Sequence, residues 1–332
     1  MSIPLTRRHV LAGAAALTAL PFASRPATAQ PFGTVVAETS FARLEELGNG
    51  VWAAVSTPLA PDGSFNPQTV CNGGIIAGKE RVVAIDAFLQ PIGSAWLASE
   101  AERLTGRPIT DVILTHFHAD HSGGVAGYLR APRQPDVIAT DTTRQLIYER
   151  YAGPQAVEGS PFARPQIRPV LPNRIITDET QPVQMDLGDR TLTLDPKVGH
   201  TPSDLAIHVD DQPVVFAGDL VWAGYFHNYV DAIPSKLKTS VADLLKDPQK
   251  TVVTGHGYIA KAGDLSDYAS LLDLVEEKAR ASFDAGLTAA EGATDFTVPA
   301  SLGAWPVFSP RYYETAFTAW YRELSPETAA AD

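Results

Sequence analysis

From Phe41 onward, apolar and polar residues alternate in short runs. Ala42–Leu47 and Val51–Thr57 flank Gly48-Asn49-Gly50, and Val70–Ala77 and Arg81–Ala87 flank Gly78-Lys79-Glu80. A two-residue period broken by such turn residues predicts two β-hairpins. Pro91 opens a helix predicted through Leu104 and stopped by Gly106 and Pro108. Asp111–Thr115 is a short apolar strand that runs into the polar stretch His116-Phe117-His118-Ala119-Asp120-His121. Ser122 caps a helix expected through Leu129, with Gly123-Gly124 letting the backbone turn tightly behind the polar stretch. Strand Asp136–Thr140 and a helix from Thr142 to Tyr151 follow. Residues 152–182 contain six prolines and no clear period, which reads as a long connection between two halves.

The pattern then resumes. Val183–Leu187 and Thr191–Asp195 flank Gly188-Asp189-Arg190, and Leu205–Val209 and Val214–Ala217 flank Asp210-Asp211-Gln212. A helix over Ser235–Leu245 leads to strand Thr251–Thr254 and then Gly255-His256-Gly257. Both halves therefore run from strands through a helix to a strand ending in a polar loop, which is consistent with a duplicated β-rich/α unit. Beyond Gly257 the period becomes helical. Leu265, Tyr268, Leu271, Leu272 and Val275 mark a helix over Asp264–Phe283, and Ser309-Pro310 opens another through Leu324. These helices are expected as an appendage over 261–332. Their aromatic residues, Trp305, Phe308, Tyr312, Tyr313, Phe317, Trp320 and Tyr321, suit a core or a homodimer surface.

With 332 residues, 45% of them hydrophobic, the chain can bury a substantial core, and 19% charged residues exclude a disordered tail or a coiled coil. Residues 1–8 carry two positive charges and no acid, residues 9–24 are largely apolar, and Ala27-Thr28-Ala29 gives a small-x-small cleavage pattern. Thr6-Arg7-Arg8-His9-Val10-Leu11 resembles a twin-arginine signal, with an ordinary secretory signal as the alternative. Residues 1–29 are therefore expected to be removed on export, leaving a periplasmic or secreted protein that begins near Gln30 and has no membrane span. Net charge is −12 over the whole chain. Removing residues 1–29, with Arg7, Arg8 and Arg25 and no acid, makes it −15. That charge disfavours nucleic acid and anionic lipid, and a small-molecule substrate is expected. Cys71 is the only cysteine, so the chain forms no internal disulfide.

The polar stretch changes the picture most. His116 and His118 alternate along an extended segment and can face one metal ion, while Asp120 and His121 follow in the turn and can face a second. Later in the chain His200, Asp219 and His256 each stand at the end of a predicted strand. Imidazoles with one or two carboxylates form the ligand set of catalytic zinc. Four ligand-type residues in six positions have no reading as core or surface.

On these residues the chain resembles the metallo-β-lactamase superfamily, over roughly Phe41 to Tyr258. The resemblance implies an αββα sandwich over 34–260, with the C-terminal helices outside it. It also implies that His116, His118 and His200 bind one metal, Asp120, His121 and His256 the second, and that Asp219 bridges them. Two Zn2+ ions per chain are expected, with iron or manganese as alternatives. An Asp at position 219 is typical of glyoxalase II-, thioesterase-, lactonase- and sulfatase-like branches, where β-lactamases usually carry Cys or Ser. Asp86, at a strand end, resembles the family's acid that supports a metal-binding histidine.

The expected chemistry is attack by a metal-held hydroxide on an ester, thioester, lactone or lactam, with Asp120 orienting it. No GxSxG elbow supplies a protein nucleophile. Val221–Tyr229 is aromatic and lacks Lys and Arg, so Trp222, Tyr225 and His227 are expected beside the substrate, with Tyr225 or His227 facing the developing oxyanion. The rival readings are a β-lactamase and an iron-dependent persulfide dioxygenase.

Overall fold

The computed structural model describes residues 30–59, 64–129, 134–153 and 169–325, and the expected signal segment 1–29 lies outside them. The first half builds an eight-stranded sheet whose strands lie side by side in chain order. They are β1 (Thr34–Glu38), β2 (Ala42–Gly48), β3 (Val51–Ser56), β4 (Gly73–Ala77), β5 (Val82–Ile85), β6 (Asp111–Ile113), β7 (Asp136–Thr140) and β8 (Arg174–Ile176). Pairing is antiparallel from β1 to β5 and parallel from β5 to β8. The parallel strands need crossovers, and α1 (Pro91–Thr105), α2 (Ala119–Ser122) and α3 (Asp141–Ile147) lie in them.

The second half builds a five-stranded sheet from β9 (Val183–Asp186), β10 (Thr191–Lys197), β11 (Asp204–Val209), β12 (Val214–Ala223) and β13 (Thr251–Gly257), ordered β13-β12-β11-β10-β9. Helix α4 (Pro234–Leu245) carries the chain from β12 to its parallel neighbour β13. Helices α5 (Ala262–Asp284), α6 (Ala289–Thr294) and α7 (Tyr312–Leu324) follow.

Strand alternation divides the apolar residues between layers. In β3, Val51, Ala53 and Val55 meet Leu192, Leu194, Ile207 and Phe216 of the second sheet. Trp52 and Ala54 point the other way and join a cluster with Leu97 of α1. On the far side of the second sheet, Val215 and Ala217 pack with Leu237 and Val241 of α4, Leu265 and Tyr268 of α5, and Phe317 and Trp320 of α7. The layers are thus helix, sheet, sheet, helix. Burying each such leucine or phenylalanine is worth about 1.5–3 kcal/mol.

Several elements differ from expectation. The helix expected over Ser122–Leu129 is the single turn α2 followed by a 3-10 turn at Val125–Gly127. Gly124 is needed for close approach, since a Cβ there would lie 2.0 Å from the Ala87 carbonyl oxygen. Its φ of −87° is ordinary for any residue. Pro310 precedes α7, whose N-cap is Arg311. The proline-rich connection contributes β8. Strands β12 and β13 run on through Asp219 and His256, so both residues sit within paired strands. Among the described residues no helix is long and apolar enough to cross a membrane.

Candidate metal centre

The end of β6 releases the chain into the segment that carries His116 and His118, and α2 then turns Asp120 and His121 toward the second sheet. His200 comes from the β10–β11 connection, Asp219 from β12 and His256 from β13. Beside Gly218, whose φ is +51°, the β12–β13 register shifts. Next to this break Asp219 reaches the cluster. Gly255 makes room for it: a Cβ there would lie 1.8 Å from Asp219 Oδ1.

All seven expected ligands converge. His118 Nδ1 lies 3.1 Å from His116 Nε2 and 2.9 Å from His200 Nε2, and Asp219 Oδ2 lies 3.1 Å from His200 Nε2 and 3.9 Å from His116 Nε2. On the other side, His256 Nε2 is 3.2 Å from Asp120 Oδ2, and His121 Nε2 is 3.8 Å from that oxygen. Asp219 reaches this second group as well, 3.0 Å from His121 Nε2 through Oδ1 and 3.4 Å from His256 Nε2 through Oδ2.

These atoms fit a metal. Four ligands 2.0–2.1 Å from a tetrahedral zinc stand about 3.3 Å apart, within the range observed. His121 Nε2, Asp219 Oδ1 and His256 Nε2 are buried without a hydrogen-bond partner. Atoms that approach within 3.0–3.4 Å without bonding one another are aimed at a common point. A buried polar atom left unpaired costs about 1–3 kcal/mol, which a cation between them would relieve.

Behind the cluster, other side chains hold the histidines. Asp86 Oδ2 lies 2.7 Å from His121 Nδ1, and its carboxylate also accepts from the Thr115 amide at 2.7 Å and the Thr115 hydroxyl at 2.9 Å. Asp86 holds a left-handed φ of +59° to aim this carboxylate. Asp231 Oδ2 is 2.9 Å from His118 Nε2, and its other oxygen accepts from Arg150 at 2.6 Å. No local motif in the sequence marks Asp231 or Arg150. Cys71, placed by its pattern in a strand, lies in the bend before β4 and donates from Sγ to the Asp120 carbonyl at 2.9 Å. Burial pushes its thiol up to about 12, so it stays neutral.

Protonation divides the cluster. Burial would raise Asp120, but the positive charges of His121 and His256 outweigh it and hold the carboxyl at about 2. Asp219 is likewise driven below the carboxylate range by His256, His121 and His200 against its burial. Burial lowers His116 and His118, the latter against the pull of Asp231. His256 rises to about 9, because Asp219 and Asp120 overcome its burial.

The centre opens on one side, where the side chains of His118 and Asp120 are 13% and 17% exposed and the other five ligands at most 4%. Trp222 covers His256 at 4.1 Å between ring centroids, and Phe308 lies 6.0 Å from Trp222 and stacks on Tyr225 at 4.5 Å. Tyr312 stands 6.2 Å from Trp222; burial, then the charges of Asp120 and Asp219, push its phenol up. The sequence pattern alone places Phe308 and Tyr312 in a core or at a dimer surface. His227 departs from its expected place at the substrate. It is fully buried, with both ring nitrogens engaged by His200 and Tyr268, so it has no proton to offer an oxyanion.

A centre of this kind between two stacked sheets defines a class of metal-dependent hydrolases. The family profile of the metallo-beta-lactamase superfamily matches residues 67–256, and the chain belongs to that superfamily. It is 24% identical over 248 residues to a metallo-beta-lactamase type 2 of Bacillus sp. (strain 170), covering 72% of this chain and 84% of that one. It is 27% identical over 184 residues to a hydroxyacylglutathione hydrolase of Hyphomonas neptunium, covering 55% of this chain and 60% of that one. In fold it resembles a sec-alkylsulfatase of Pseudomonas sp., with a TM-score of 0.65 at 16% identity over 87% of this chain and 52% of that one.

Proposed function

We propose that this protein hydrolyses a small neutral ester, thioester or lactone at a centre that takes two zinc ions. The observation that carries this reading is Asp219, whose carboxylate reaches both ligand groups at 3.0–3.4 Å. His116, His118 and His200 would hold one ion, Asp120, His121 and His256 the other, and Asp219 both. When bound, zinc supplies a water acidified from a pKa of 15.7 to about 7 and a Lewis acid for the carbonyl oxygen.

The chain's own residues do the rest. Asp120 stands at the open side and stays ionised at neutral pH, so it accepts a hydrogen bond and orients water rather than donating a proton. Tyr225, Phe308 and Tyr312 offer an aromatic wall for the apolar part of a substrate, with the buried Trp222 packed against Phe308 and Tyr312. The charge of Arg150, which is 41% exposed, is offset by Asp231 at 2.6 Å, which favours a neutral substrate. The carboxylate at position 219 and the hydroxyacylglutathione hydrolase relative support acyl-group hydrolysis. Residues 1–29 support export to the periplasm, where the substrate would be met.

The test is metal content of the exported protein, followed by a panel of neutral esters, thioesters and lactones. Two zinc ions per chain with turnover are expected; one iron, or no turnover across the panel, overturns the reading. A β-lactam belongs in the panel because the 248-residue match is to a metallo-beta-lactamase.

A further inference from the structure

We propose that His227 and Tyr268 hold His200 in the tautomer that leaves Nε2 open to a metal, which makes α5 a working part of the centre. The inference rests on reading His200 as a ligand. His200 Nε2 faces the cluster, 2.9 Å from His118 Nδ1 and 3.1 Å from Asp219 Oδ2. Its Nδ1 faces away, 3.0 Å from His227 Nε2. The second nitrogen of His227, Nδ1, lies 2.8 Å from the Tyr268 hydroxyl oxygen.

The proton positions follow by deduction. A neutral imidazole carries one N–H. For His200 Nε2 to offer a lone pair, that proton sits on Nδ1 and is donated to His227 Nε2. The proton of His227 then sits on its own Nδ1 and is donated to the Tyr268 oxygen. No other arrangement of neutral rings frees His200 Nε2 and keeps both contacts as hydrogen bonds. His200 and His227 are fully buried and Tyr268 is 1% exposed, so water does not substitute for either partner. Tyr268 is fixed in turn by the packing of α5 through Leu265, Leu272 and Val275 in the core it shares with Trp222.

The choice of partner has a consequence. His118 and His121 are backed by carboxylates, Asp231 and Asp86. A carboxylate partner raises the basicity of its histidine. His200 is backed by a neutral ring, which orients it without adding negative charge to a centre that already gathers Asp86, Asp120, Asp219 and Asp231. His227 and Tyr268 are positioning residues, placed behind the ligand and away from the open side.

The experiment measures zinc affinity of the mature protein by competition with a chromophoric chelator, with circular dichroism of each metal-free variant as the folding control. His227→Ala is expected to lose about 10- to 100-fold in affinity. His227→Gln, whose amide oxygen can accept from His200 Nδ1, is expected to recover most of it. Tyr268→Phe, which leaves a buried N–H of His227 unpaired, is expected to lose about 5- to 10-fold. Nitrogen-15 NMR of zinc-loaded wild type should place the protons of His200 and His227 on Nδ1, and this reads the relay even if His227→Ala fails to fold. Affinity within about twofold of wild type in Tyr268→Phe and His227→Ala, or a proton on His227 Nε2, overturns the proposal while leaving the metal centre intact. A wild-type protein that binds no zinc overturns the metal-centre reading, and this inference with it.

Discussion

Asp86 grips His121 and the Thr115 backbone with one carboxylate, 2.7 Å from His121 Nδ1 and 2.7 Å from the Thr115 amide. It ties the end of β6 to a ligand of the second group. Asp86→Ala should therefore lower metal affinity about 10- to 100-fold and destabilise the fold by about 1–3 kcal/mol through the unpaired Thr115 amide. Chelator competition and denaturant unfolding would measure both. Loss of one without the other would separate the two roles.

Asp120→Ala and His116→Ala should each cut kcat/KM by about 10²–10⁴ while the far-UV circular dichroism of the variants stays that of wild type. Unchanged turnover in both would remove these residues from the reaction.

Gly255→Ala tests the room that Asp219 needs. A Cβ 1.8 Å from Asp219 Oδ1 forces β13 or the carboxylate to move. The expected cost is about 1–3 kcal/mol, with zinc content falling toward one ion per chain. A fully loaded, wild-type-stable variant would show that Asp219 has slack.

Metal uptake should compete with protons. In the metal-free centre His256 titrates at about 9, and His121 is also raised, its burial outweighed by Asp219, Asp86 and Asp120. The sign is that of a group raised on folding. These protons stabilise the metal-free protein most fully below about pH 6.5, and that contribution fades as pH rises through about 9. Zinc must displace them, so its affinity should fall about tenfold per pH unit for each proton displaced as pH drops from about 9. Titration calorimetry in buffers of different ionisation enthalpy should register the released protons; a pH-independent affinity would contradict this account.

Phe308→Ala should weaken the aromatic wall without touching a ligand. For a neutral ester with an apolar acyl chain, KM is expected to rise about tenfold with kcat little changed. A fall in kcat at constant KM would place Phe308 in the reaction itself.

The ligand cluster was legible because its chemistry is local. His116, His118, Asp120 and His121 crowd one turn, and His200, Asp219 and His256 each stand against an apolar strand that needs no polar residue there. What supports them was not. Asp231 meets His118 across 113 positions of sequence, and Tyr268 meets His227 across 41. Tyr268 also sits on the apolar stripe of α5, where its hydroxyl is invisible to a hydrophobic period. His227 looked like a pocket residue because its aromatic neighbours suggested a wall, yet the chain turns it inward behind His200. The sandwich itself followed from strand alternation and turn residues, while strand ends and the short helix after His121 depended on contacts such as Gly124 against Ala87.

The expected ligands come from both sheets: His116 to His121 from the end of β6, and His200, Asp219 and His256 from the second sheet. On the proposed reading, the loaded centre is a staple through two layers. His118 and His200 close a span of 82 residues, and a cross-link over a loop of that size removes unfolded-state entropy worth about 4.5 kcal/mol. Chelation then does more than stop turnover. It unpins the seam between the sheets, and amide exchange along β6 and β12 is expected to quicken before the outer helices loosen.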